Sequence, residues 1–490
     1  MTGREILFHR ALPPSLFVLV AVTMLVFLVI FVPTGEVPDE VAHIMRADSV
    51  RHGEIAGFRR PRLDDQGDPA IDAAVRGDIS LVGAGFEFFG LSLRDKHETL
   101  AHIEHMRSFV WANRLDPVSV PNTAVYPPFF YLPAASGIQL AKYAGYGPYD
   151  AILAGRFFNV LAYLALGAAA LFFAERGRAM LFAILCLPMS LWLAASMNHD
   201  GIVIACSVLA GSLLCRKDPA GQTTARWIAG AAALALAVMA KPFLLPMTLI
   251  VPATVPGRFR PNLRSAASGF ALAVFPALLW GGAMALFVAV PFVRGPAYPA
   301  GPLWSGPAGT LFPSTSPGEQ LHILLSVPSR LVTLPLDTLW QEGRWLWHEV
   351  IGVLGTLDVV LPPFLYDGWN WILAAAFSAG LIGGRGSLKI DARSNGLRLV
   401  ALAGAIASSW MIYLLQYLSW TKVGESLIEG VQGRYFIPVA ALALPFLAAP
   451  LLSIPGGFSL RRALSAAVIV AALFSVVSMS YVVLAAYYLR

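Results

Sequence analysis

The sequence predicts an all-α polytopic membrane protein in which residues 1–490 form a single membrane domain. Three observations lead there. The composition is 57% hydrophobic and only 13% charged, where soluble domains carry about 25% charge. Apolar runs close to the length of a bilayer crossing recur along the whole chain. When those runs are alternated across a membrane, the Lys and Arg of the short segments between them fall on one side. The formal charge of +6 thus reflects position at a membrane and does not imply a nucleic-acid partner.

A helix crossing the hydrocarbon needs about 20 apolar residues, and fewer when its flanks reach out to the headgroups. The first run, 14–32, follows a short basic start with Arg4, His9 and Arg10 and so resembles a signal peptide. It is long enough to span, and no small-x-small cleavage site follows it, which predicts an uncleaved first span. Further spans are predicted at 151–174, 179–197, 200–215, 226–240, 242–256, 266–290, 368–384, 397–419, 434–453 and 462–487. The stretches 126–141 and 320–340 are short or broken by proline and are expected to lie on or dip into the outer face, while 350–366 reads either way. The bundle then holds about 11–13 transmembrane helices.

With the N-terminus inside, the inside segments are 1–13, 175–178, 216–226, 257–265, 385–398 and 454–462. Together they carry 16 Lys and Arg against four acids, Glu5, Glu175, Asp218 and Asp391, as the positive-inside rule requires. The consequence is a large first extracytoplasmic loop, 33–126, with 15 acids and 10 basic residues. Its apolar content is too thin for a core of its own, so it is expected to form amphipathic helices packed on the outer face. A second outer region, 291–366, contains "WQEGRWLW", with three tryptophans suited to a membrane interface. Cys186, Cys206 and Cys215 lie in apolar runs without disulfide or metal spacing and read as buried hydrophobes. No phosphate-cradling Walker loop is present, which argues against an ATP-driven pump.

Candidate chemistry collects on the outer face. "PDEVAH" places Asp39, Glu40 and His43 just past the first span. Carboxylates this close to hydrocarbon are partly desolvated, which suits a general base. Asp39 is equally placed to cap the helix that begins there. "NHDG" puts His199 and Asp200 in the turn between two spans, where Asp200 also starts a helix. Arg156, Lys241 and Arg434, the last followed by Tyr435, sit near outer span ends. Arg156 lies about five residues, roughly 7–8 Å, into its span, a depth at which charge is expensive. Each could instead snorkel to lipid headgroups, but three cations on one face favour a phosphate site, with Arg434 first because guanidinium matches phosphate oxygens in a fork. "YPPFFYLP", opened by Tyr126, is an aromatic re-entry point that either anchors the loop or walls a lipid-tail groove. His97, His102 and His105, with Glu98, read as a solvated amphipathic helix because no third metal ligand is fixed by spacing.

These motifs, in order from 38 to 438, resemble those of multi-pass GT-C glycosyltransferases. They are most similar to a bacterial family of predicted integral membrane proteins of unassigned function regarded as relatives of those enzymes. The resemblance implies a GT-C-like bundle in a bacterial inner membrane with a periplasmic active site. It implies a polyprenyl-phosphate sugar donor and a cell-envelope glycan or lipid acceptor. Asp39 would be the catalytic base with Glu40 as its partner. His43, His199, Asp200, Arg156, Lys241, Arg434, Tyr435 and Tyr126 would bind substrate, with Arg434 on the donor phosphate. Some members hold a divalent cation, Mg²⁺ or Mn²⁺, and Asp39 and Asp200 are the positions where it would sit here. A single carboxylate in "NHD" leaves that metal site open. Two other roles compete with transfer: a transporter or flippase for lipid-linked glycan, and a non-catalytic membrane assembly subunit.

Overall fold

The computed structural model describes residues 3–63, 67, 69–85, 100–216, 221–256, 263–383, 392–448 and 450–489. His97 and Glu98 lie outside them. The chain is mostly helical. Among the described residues, five helices are long and apolar enough to cross a membrane: Leu12–Phe31, Pro148–Phe173, Leu263–Phe287, Ser394–Ser419 and Gly457–Tyr487. The first belongs to α1 (Gly3–Phe31), and the exit from it leads into α2 (Glu40–Arg51).

Two apolar clusters build the bundle. One gathers α1, the segment 178–194, the helix Pro363–Leu381 and Gly457–Tyr487 around the buried Trp192 and Trp369. The other gathers the helices Asp200–Leu214, Thr224–Ala240 and Phe436–Leu447 with the chain from 242 to 255. Several crossings expected as single runs are shorter or broken. The run 179–197 is two helices, Arg178–Leu185 and Pro188–Ala194, because Pro188 cannot continue the first. The run 242–256 is a 3-10 turn, Pro242–Leu249, followed by Ile250–Ala253, with Pro242 and Pro246 denying it an α-helical ladder. The segment 178–194 and Asp200–Leu214 are largely buried against other helices, so they need not match the hydrocarbon thickness individually.

The stretch 126–141 becomes a 3-10 turn, Pro128–Tyr131, and then α3 (Leu132–Tyr143). It returns against α4 (Pro148–Phe173) as a helical hairpin. The two approach closely because Gly137 faces the backbone of Ala154, where a Cβ would come within 2.5 Å of the carbonyl oxygen. The ambiguous 350–366 contains a tight hairpin of Val353–Leu354 and Val359–Val360. Ahead of it, α5 (Arg330–Ile351) carries the exposed Trp340, Trp345 and Trp347.

The segment 33–126, expected to form amphipathic helices, contains strands as well. It contains a three-stranded antiparallel sheet in the order β1 (Phe58–Leu63), β2 (Pro69–Asp78), β3 (Leu115–Ser119). Mid-strand prolines, Pro61 and Pro117, occur only on the two edge strands, where a missing donor is tolerated. Ile44, Met45, Val75 and Met106 of this segment share one buried cluster with Tyr131, Ile138 and Ile152. The segment is therefore joined to α3 and α4.

Two different sets of loops line two cavities. Asp39, Asp200, Lys241 and Arg434 line one cavity. Gly177, Arg178, Gly380 and Arg461 line another, with Pro13.

Candidate functional site

Asp39 sits at the turn from α1 into α2 in a left-handed backbone conformation, φ 61° and ψ 10°. That region costs a non-glycine residue about 1 kcal/mol or more, and Asp tolerates it better than most. Its side chain makes no cap to α2, so the capping role is not the one the carboxylate plays. One oxygen accepts from Arg434 Nη2 at 2.8 Å and the other from Asn122 Nδ2 at 3.0 Å. The side chain is 41% exposed while Arg434 is 3% exposed, because Asp39 projects into the cavity and Arg434 forms its wall.

Arg434 is aimed by two contacts. Its Nε donates to Gln432 Oε1 at 2.6 Å. Just before it, Gly433 N–H donates to Glu349 Oε2 at 2.6 Å. A Cβ at Gly433 would collide with the Leu346 carbonyl, so α5 and the Arg434 loop meet at a point that only glycine permits. Arg434 Nη1 is buried without a hydrogen-bond acceptor among the described residues. Its nearest carboxylate oxygen is Asp200 Oδ2 at 3.6 Å. Asp200 in turn holds Lys241 Nζ at 2.6 Å. Lys241 lies 5.2 Å from the Tyr126 ring and 5.4 Å from the Tyr435 ring, within cation–π range. Asp39, His43, Tyr126, Asp200, Lys241, Arg434 and Tyr435 thus line a single cavity of about 220 Å³.

Burial alone would raise the Asp39 carboxyl. The Arg434 guanidinium, by charge and by hydrogen bond, outweighs it and holds the group below its ordinary value. Asp39 is therefore ionised at neutral pH. Burial lowers the His43 imidazole to about 4, against the pull of Asp39 and Asp200, so it is neutral.

His199 stands behind the cavity. Tyr131 Oη lies 2.7 Å from His43 Nδ1 and 3.3 Å from His199 Nδ1, and one phenol links both rings. Asn198 ties two motifs together, donating to the Pro38 carbonyl at 3.0 Å and accepting from the Asp200 N–H at 2.8 Å. Arg46, fully buried, holds the Tyr126 carbonyl at 3.0 Å.

Glu40 and Arg156 require a correction. Neither side chain has any exposed surface, and Arg156 Nε and Nη2 donate to the two Glu40 oxygens at 2.7 and 2.6 Å. Arg156 also donates to the carbonyls of Val32 and Pro33, and Glu40 accepts from Gly35 N and Met197 N. Each polar atom is engaged and both side chains are fully buried, so neither the Glu40 carboxylate nor the Arg156 guanidinium is presented to a substrate. The pair pins the turn that carries Asp39. Tyr131, Gln432 and Asn198 fall inside stretches singled out by sequence, yet the residues themselves were not. Nothing in the sequence around Asn122 marks it.

The donor set does not fit a divalent cation. Arg434 bridges Asp39 and Asp200, and Lys241 pairs with Asp200 as well, so both carboxylates already face fixed positive charge. Among the described residues, no three His, Cys, Asp or Glu side chains are grouped to hold a metal ion.

A helical bundle with several membrane-length apolar helices and a charged cavity at one end defines a multi-pass membrane protein. Residues 22–443 match the model of a family described as predicted membrane protein, DUF2142, and the chain belongs to that family. No curated protein and no solved structure matches it.

Proposed function

We propose that this chain is a glycosyltransferase of the GT-C kind, seated in a bacterial inner membrane with its N-terminus cytoplasmic. It moves a sugar from a polyprenyl phosphate to a hydroxyl of a cell-envelope glycan or lipid on the periplasmic face. One observation carries the reading: an ionised carboxylate on a strained backbone and a guanidinium with an unused donor meet at 2.8 Å on one cavity.

The chemistry needs both. A hydroxyl is a weak nucleophile, and Asp39 takes its proton as the oxygen attacks the anomeric carbon. The bond from that carbon to the phosphate oxygen breaks, and polyprenyl phosphate leaves with the electron pair. Arg434 and Lys241 meet the charge that develops on the leaving phosphate. One displacement inverts the anomeric centre. Charge gathered at one end of the bundle suits this better than lipid flipping, which draws on ionisable residues near mid-membrane.

The test is Asp39→Asn in the full chain, reconstituted in nanodiscs with labelled polyprenyl-phosphate sugars. Asn keeps the shape and tolerates the left-handed backbone. Transfer should fall by about 10²–10⁴-fold, the usual contribution of a general base. Unimpaired transfer by Asp39→Asn, or no transfer by the native chain from any such donor, refutes the reading.

A further inference from the structure

A second cavity of about 360 Å³ adjoins the first. Asp39, Asn122 and Gln432 line both and so form the partition between them. The two chambers differ in charge. The smaller holds Lys241, Arg434 and His43. None of the described residues lining the larger is Lys, Arg or His. Glu40 contributes to its wall, but its carboxylate is buried against Arg156, which leaves Asp39 as the one charge the chamber sees.

We propose that this larger chamber is a binding site for an uncharged sugar ring and that it rejects anionic ones. The inference rests on the transferase reading only in making that sugar the acceptor.

The polar groups suit hydroxyls. Gln432 Oε1 accepts from Arg434 Nε, which turns its amide hydrogens outward as donors. Asn122 Nδ2 donates to Asp39, which leaves its Oδ1 as an acceptor. Thr356 supplies a hydroxyl that does either. The remaining wall is apolar, with Val37, Val41 and Leu357, and offers a surface for the C–H face of a pyranose. Leu357 is held at φ 74°, a conformation that a bulky residue adopts only when its surroundings impose it. The hairpin imposes it here through Asp358 N–H to the Leu354 carbonyl at 3.0 Å and Thr356 N–H to Asp358 Oδ1 at 3.0 Å. The chamber falls within the size range of small-molecule sites, about 300–1,000 Å³. A carboxylate or phosphate entering it finds no Lys, Arg or His among the described lining residues, because Arg434, which pairs with Asp39 at 2.8 Å, lines only the smaller cavity, and an uncompensated anion there should bind about tenfold more weakly.

The experiment uses the full chain in nanodiscs and two photoprobes of equal chain length. One is an octyl glucoside with a diazirine next to the glycosidic oxygen, and the other is the matched octyl glucuronide. The glucoside should label peptides spanning 35–42 and 354–360, in competition with excess unlabelled octyl glucoside. The glucuronide should label them about tenfold less at pH 7, and its methyl ester should regain the lost labelling. Leu357→Trp should abolish labelling by filling the chamber. Thr356→Lys, at a half-buried turn position, should invert the preference toward the glucuronide. Equal labelling by both probes, labelling elsewhere only, or indifference to both variants overturns the proposal. Labelling does not require turnover and should persist in Asp39→Asn. A failed transfer assay with intact labelling therefore sinks the transferase reading and leaves the sugar site standing.

Discussion

Replacing Glu40 by Gln is the sharpest perturbation of the scaffold beneath the cavity. The native carboxylate accepts four hydrogen bonds, two from Arg156 and one each from Gly35 N and Met197 N. Gln is nearly isosteric but offers one acceptor oxygen and an NH₂ that confronts the donors around it. The substitution leaves the Arg156 guanidinium buried without a countercharge. Removing one partner of a buried ion pair costs about 3–5 kcal/mol, and both side chains here have no exposed surface. Arg156→Met should cost a similar amount, since it strands the Glu40 charge together with the Val32 and Pro33 carbonyls. The two losses overlap, so the double variant should be more stable than their sum by about 2 kcal/mol. Thermal or denaturant unfolding in detergent, run as a four-member cycle, measures this. Asp39→Asn serves as the control and should cost far less, because its carboxylate is partly exposed. A loss below about 1 kcal/mol for Glu40→Gln, or simple additivity of the two substitutions, would refute the positioning role.

Three other outcomes follow from the same geometry. Arg434→Lys keeps the charge but cannot contact Gln432, Asp39 and a phosphate from one planar fork, so transfer should drop by about tenfold or more while Arg434→Ala drops further. His43, 3% exposed, is held at about 4 in the fold against about 6.5 unfolded. The unfolded chain thus binds the extra proton, and about 3 kcal/mol of stability should be lost as pH falls from 6.5 to 4; His43→Gln should flatten that slope in pH-dependent melts. Tyr131→Phe removes the phenol joining two buried imidazoles and should lower unfolding stability by about 1–3 kcal/mol with little change in overall packing.

The mostly helical membrane character was legible in the apolar runs, whereas the count of about 11–13 crossings was not, since five helices among the described residues are long and apolar enough to cross. Which loops share an end followed from alternation and from Lys and Arg placement. That sorting put Asp39, Asp200, Lys241 and Arg434 on one membrane face, and in the structure they line one cavity. What stayed hidden depends on register across long sequence separations. No periodicity announces that Arg156, 116 residues beyond Glu40, turns away from a phosphate site to hold that carboxylate. The sheet was hidden for a local reason: Pro61, Pro69 and Pro117 sit in strands and read as breakers until edge position and strand start excuse them. The divided span 178–194 is likewise a matter of context. Its apolar content signals a crossing, and only Pro188 marks the break. The left-handed turn at Asp39 had no signal at all, since the residue that follows two prolines and a valine looks like an ordinary helix cap.

That turn restricts the mutational alphabet at position 39 in two independent ways. Backbone shape admits Gly, Asn and Asp, whereas the proposed role as a general base admits Asp and Glu. Only the native residue satisfies both filters. A saturation library selected for folding alone should therefore be enriched in Asn and Gly at this codon. A library selected for turnover should converge on Asp and discard even Glu, despite its identical charge.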